Sequence, residues 1–225
     1  MEKKSILFIG NSFTYFYDMP KSIFNEICVN HNLSVDVDSI TSGGYRLCQF
    51  ADPENEFGKK VYFSFINKKY DYVILQEQSN TPITNYTVFI EGATKLAELV
   101  KENGAELYFY QTWGYQNGHS FLPECAKDSN DMAIKLKEAY CKAANELEGI
   151  VIPVGTAFLD INTNTDINIY DPDLLHPSLF GSIIVAWTVF SKIFNISPFD
   201  VDYNCGIDYD ISETIKKAVE KAVFN

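Results

Sequence analysis

Ile6-Leu7-Phe8-Ile9 is an unbroken apolar run that stops at Gly10 and is followed by Asn11-Ser12-Phe13-Thr14. Four apolar residues without polar alternation suit a strand covered on both faces, as in the middle of a parallel sheet. Gly10 permits a sharp exit, and Asn11 is comfortable in turn geometry. Ser12 then falls just beyond the carboxyl end of the strand, where open α/β sheets place their ligands. Taken alone, the segment is equally well read as a strand followed by an ordinary serine N-cap.

The rest of the chain repeats the pattern. Ile23, Phe24, Ile27 and Cys28 follow helical spacing, with Asp18 and Pro20 suited to the helix start and Asn30-His31-Asn32 to its end. Strands are predicted at 35–40, 71–75, 107–110 and 150–154. Helices are predicted at 58–67, over the Phe89, Ala93, Leu96, Val100 stripe closed by Asn103-Gly104, and over Met132 to Leu147. Residues 155–172, rich in Gly, Asn, Thr and Asp, read as a loop. An apolar helix and a final amphipathic one, carrying Ile211, Ile215, Ala218 and Val219, complete the chain.

Strands alternating with helices predict a doubly wound α/β fold with a five-stranded, largely parallel sheet, and 225 residues suit one domain spanning 1–225. Right-handed crossovers put all strand exits on one edge. Five loops then converge there, carrying Ser12, Gly44, Gln78, Trp113 and His176.

Composition narrows the partners. The formal charge of -12 disfavours a nucleic-acid backbone or an anionic membrane and leaves a small molecule. The five cysteines are odd in number and widely spaced, without a CxxC pair, so neither a disulfide framework nor a metal site is expected. No signal peptide follows Met1-Glu2-Lys3-Lys4, and Ser182, Ser191 and Lys192 interrupt the longest apolar stretch. A soluble cytoplasmic protein is the expectation.

A serine hydroxyl is a poor nucleophile without an adjacent base. Of three histidines, His31 lies at a helix end and His119 in mid-loop; His176 lies at the predicted site edge, three residues after Asp173. Residues three apart on one turn are neighbours. Asp173 can therefore hold the His176 Nδ1–H while Nε2 faces Ser12, with Asp171 a competitor for the acid role. Attack on an ester creates an oxyanion that needs donors already in place. The candidates are the Ser12 N–H, the Gly44 N–H and the Gln78 side-chain amide, with Asn80 as an alternative. Arg46, the one arginine, can meet a substrate anion or a protein acid; Trp113 can stack on a sugar ring, wall an acyl pocket or simply pack.

These residues together resemble the SGNH hydrolase superfamily, the broad GDSL esterase/lipase group. Gly10-Asn11-Ser12-Phe13-Thr14 stands where that group has Gly-Asp-Ser. Gly44 matches its second block, and Asp173-Leu174-Leu175-His176 matches its Asp-x-x-His. The third block departs: Gln76-Glu77-Gln78-Ser79 replaces Gly-x-Asn-Asp, with Gln78 in the place of the asparagine donor. The resemblance implies a three-layer flavodoxin-like fold and a serine hydrolase of short O-acyl esters, acetyl groups on carbohydrate among them. It implies no metal or organic cofactor. An acyltransferase using the same acyl-enzyme, and a binding module with a decayed site, stay open.

Overall fold

The computed structural model describes residues 3–225. Five strands form one sheet: β1 (Lys4–Gly10), β2 (Val35–Thr41), β3 (Tyr72–Leu75), β4 (Glu106–Tyr110) and β5 (Ile150–Ile152). Their order is β2-β1-β3-β4-β5, and every neighbouring pair is parallel. This is the flavodoxin-like order, whose switch point lies between the first and third strands.

The helices are α1 (Ser12–Tyr15), α2 (Ile23–Asn30), α3 (Leu47–Phe50), α4 (Glu56–Asn67), α5 (Thr81–Thr84), α6 (Tyr86–Asn103), α7 (Leu122–Cys125), α8 (Ser129–Glu146), α9 (Val154–Asn164), α10 (Leu179–Phe194) and α11 (Tyr209–Phe224). Alternate β1 side chains point to opposite faces. Ile6 and Phe8 join Ile74, Tyr108 and Ile152 beneath α2, α9, α10 and α11. Leu7 and Ile9 join Val73, Leu75 and Phe109 beneath α3, α4, α6 and α8. The apolar run of β1 thus fills both cores, which is why it shows no alternation. No helix among the described residues is long and apolar enough to cross a membrane.

Two expectations need correction. Residues 155–172 are not all loop, because α9 occupies 154–164. Val154, Ala157, Phe158 and Ile161 are buried along one stripe at helical spacing, and the Thr, Asn and Asp residues between them only dress the outer face. Gly155 lets this helix lie against the β4 exit, since a Cβ there would meet the Thr112 carbonyl oxygen at 2.1 Å. β5 accordingly ends at Ile152, with Pro153 as the helix cap. The second correction concerns Asp18, which caps no helix. It lies in a 3₁₀ turn, Phe16–Asp18, and α2 starts only at Ile23.

Candidate active site

β1 delivers Ser12 to the first position of α1, where Asn11 caps the turn by accepting from Phe13 N–H at 3.2 Å. Tyr110 Oη, at the end of β4, donates to the Phe13 carbonyl at 2.9 Å and pins the turn over the sheet.

His176 comes from the turn between α9 and α10. Inside it, Asp171 N–H donates to the His176 carbonyl at 2.9 Å, and Leu174 takes a left-handed φ of 63°. The β4 exit loop clamps it from outside: Trp113 Nε1 donates to Leu175 O at 3.1 Å, Gln116 N–H to Leu174 O at 2.9 Å, and Tyr170 Oη to Gly114 O at 2.8 Å.

The outcome is a continuous line of three side chains. His176 Nε2 lies 2.8 Å from Ser12 Oγ, and His176 Nδ1 lies 2.5 Å from Asp173 Oδ2. The other carboxylate oxygen, Oδ1, accepts from the N–H groups of Leu175 (3.0 Å) and His176 (2.9 Å), fixing the acid against its own turn. Burial raises the Asp173 pKa, but the hydrogen bonds from the His176 side chain and from both N–H groups outweigh it, so the carboxyl sits below its ordinary value. Asp171 faces elsewhere, accepting from Tyr17 Oη at 3.3 Å.

Gly44 has a φ of 70°, which explains a glycine there, and open space lies around it. No protein acceptor takes its N–H or that of Ser12 among the described residues. Gln78 is half-committed. Its Oε1 accepts from the Thr81 hydroxyl at 2.8 Å, while Nε2 donates to Ser79 Oγ at 3.0 Å and keeps a second hydrogen. Asn80 directs its amide at Cys125 Sγ, 3.5 Å away.

Trp113 does not face a substrate. It is fully buried, stacked between Phe13 (4.3 Å) and Phe158 (4.1 Å), so the sugar-ring and acyl-pocket readings give way to packing. Arg46 is exposed, and its charge lowers the pKa of Glu77 without a close ion pair.

Gln76 and Glu77, read from sequence only as loop, are fully buried and join the blocks. Gln76 Oε1 accepts from Asn11 N–H (2.8 Å) and Thr14 Oγ1 (2.9 Å), while its amide donates to the Glu77 carbonyl. Glu77 Oε2 accepts from Leu47 N–H (3.1 Å) and Oε1 from Gln78 N–H (2.6 Å). The one signal in the sequence is their place directly after β3, at the sheet edge.

Asn11 is a further tie. Its Nδ2 donates to Tyr45 O at 3.0 Å, holding the Gly44 loop beside Ser12. An aspartate here has no hydrogen to offer that carbonyl and brings a buried charge. Asn11→Asp is expected to lower the unfolding free energy by about 1–3 kcal/mol. Urea titration at constant m-value checks it.

The parallel sheet and its strand order define a doubly wound α/β protein of the flavodoxin-like kind, with the Ser12, His176 and Asp173 side chains in line over the β1 exit. No family model matches the chain, and no curated protein matches it. Solved structures do. A candidate SGNH hydrolase from Slackia heliotrinireducens is 27% identical, with a TM-score of 0.74, over 85% of this chain and 100% of its own. A DUF4886 family protein from Bacteroides uniformis is 20% identical, with a TM-score of 0.83, over 99% of this chain and 95% of its own. An acetyl xylan esterase, AlAXEase, shares the fold at 12% identity and a TM-score of 0.60, over 84% of this chain and 99% of its own. The chain belongs to the SGNH hydrolase superfamily.

Proposed function

We propose that this protein is a serine esterase that cleaves short O-acyl esters, acetyl esters of carbohydrates among them, through an acyl-enzyme on Ser12. The unbroken line Asp173–His176–Ser12, at 2.5 and 2.8 Å, carries the reading. Ser12 Oγ attacks the ester carbonyl carbon while its proton passes to His176 Nε2. Asp173 keeps the opposite nitrogen protonated and stabilises the imidazolium. The tetrahedral oxyanion is met by the N–H groups of Ser12 and Gly44 and by the second Nε2 hydrogen of Gln78. The alcohol then leaves with the proton from His176, and water, deprotonated by the same imidazole, releases the acid and regenerates Ser12. None of these steps calls on a metal or an organic cofactor. Residues 1–225 act as one domain in this scheme, since every group comes to one sheet edge.

The inclusion of acetyl esters draws on the acetyl xylan esterase that shares the fold. A fluorophosphonate probe tests the nucleophile. Stoichiometric labelling that maps to Ser12 by peptide mass, and is lost on prior heat denaturation, is the expected result. An unlabelled folded protein would overturn the reading and favour a decayed site.

A further inference from the structure

The imidazole of His176 has a second neighbour that the acyl-enzyme scheme does not use. The Phe16 ring lies flat upon it, with centroids 4.2 Å apart and planes 2° from parallel. On another side, Phe13 meets the same imidazole edge-on at 5.8 Å. Phe16 is not delivered by a regular element. The two residues after it, Tyr17 and Asp18, both adopt left-handed backbone, φ 53° and 50°, although neither is glycine. Consecutive residues of this kind cost free energy and persist only where surrounding contacts hold them. Those contacts are visible: Tyr17 Oη donates to Asp171 Oδ1 at 3.3 Å, and Met19 N–H donates to the Phe16 carbonyl at 3.1 Å. The strained turn therefore ties the chain just after Ser12 to the turn that carries His176.

From this juxtaposition we propose that Phe16 is a positioning residue for His176, clamping the imidazole between Ser12 and Asp173 and presenting a π face to the imidazolium that forms during turnover. The proposal rests on the serine-esterase reading above. Two effects follow from the geometry. A ring stacked at van der Waals distance blocks rotation of the imidazole out of the line to Ser12 Oγ. A cation over an aromatic face is stabilised relative to the neutral ring, so the contact strengthens as the proton arrives. Acylation and deacylation each place a proton on His176, so both steps benefit alike. A contact of this kind acts on kcat and leaves KM nearly unchanged.

The test is steady-state hydrolysis of p-nitrophenyl acetate by wild type, Phe16→Leu, Phe16→Ile and Phe16→Tyr, with thermal unfolding of each. Leucine and isoleucine keep apolar bulk and remove the π face; tyrosine keeps it. The expected result is a kcat roughly 3–30-fold lower in the two aliphatic variants, a KM within about twofold, and near wild-type kcat in Phe16→Tyr. Unchanged kcat in Phe16→Leu would overturn the proposal, as would a loss carried by KM, which would make the ring a substrate wall. If both aliphatic variants fail to fold while Phe16→Tyr folds, the ring is structural and the proposal also falls. The underlying reading fails separately: wild type itself would then neither turn over the ester nor label at Ser12.

Discussion

Ser12→Ala is expected to hydrolyse p-nitrophenyl acetate about 10⁴–10⁶-fold more slowly than wild type, with its unfolding transition unmoved. The hydroxyl is a small, half-buried group bonded to one imidazole nitrogen, so its removal deletes the nucleophile and little packing. Asp173→Asn is the sharper probe, with an expected loss of about 10⁴-fold in kcat. The Oδ1 position accepts two N–H groups, so an asparagine seats its oxygen there and turns its NH₂ toward His176 Nδ1. That amide can only donate, which leaves the histidine proton on Nε2 and unable to receive another from Ser12. Because the three side chains act as a unit, Ser12→Ala/Asp173→Asn should be no slower than Ser12→Ala alone. A double variant slowed by the product of the single effects would show that the acid and the serine do not share one proton path.

Much of this arrangement is legible in the sequence, and the exceptions have physical causes. The run Ile6 to Ile9 declares a doubly covered strand, and the i, i+3 spacing of Asp173 and His176 predicts the contact found between them. α9 escapes because loop-type residues on its outer face outnumber the four apolar ones beneath. Trp113 stays undecided in the sequence because exposure is a tertiary property: an aromatic in a loop beside a site reads the same whether it faces solvent or stacks between Phe13 and Phe158. The burial of Gln76 and Glu77 is hidden for the opposite reason. Polar residues after a strand read as solvated, and only the closeness of the β1 and β2 exits shows that their partners are backbone N–H groups. Phe16 is placed by a left-handed turn at two residues that ordinarily avoid it, which no periodicity announces.

Glu77 leads to the second large effect, a stability that falls as pH rises through neutrality. Burial pushes its carboxyl from an ordinary value of 4.5 up to about 7, against the opposing pull of the Gln78 and Leu47 N–H groups and the Arg46 charge. In the unfolded chain the group is ionised well above pH 4.5, whereas in the native protein it keeps its proton until about pH 7. Between those values the native state binds more protons, so each rise in pH favours unfolding. The contribution is fully present below the unfolded value and gone above the folded one. It amounts to about 3 kcal/mol in all, of which about 2 kcal/mol is lost between roughly pH 5.5 and pH 8. The carboxylates held low, such as Asp36, Asp71 and Asp173, act in the opposite sense, but in the acid range below about pH 4, outside this window. Glu77→Gln cannot titrate, so the difference between its urea-derived stability and that of wild type should itself change by about 2 kcal/mol across the window. The variant starts less stable, because one of the Leu47 and Gln78 N–H groups then faces an amide NH₂ in place of an oxygen. Parallel stability curves for the two proteins from pH 5.5 to pH 8 would mean that Glu77 is already ionised in the native state at the lower pH, and that the link between the second and third blocks is a carboxylate throughout.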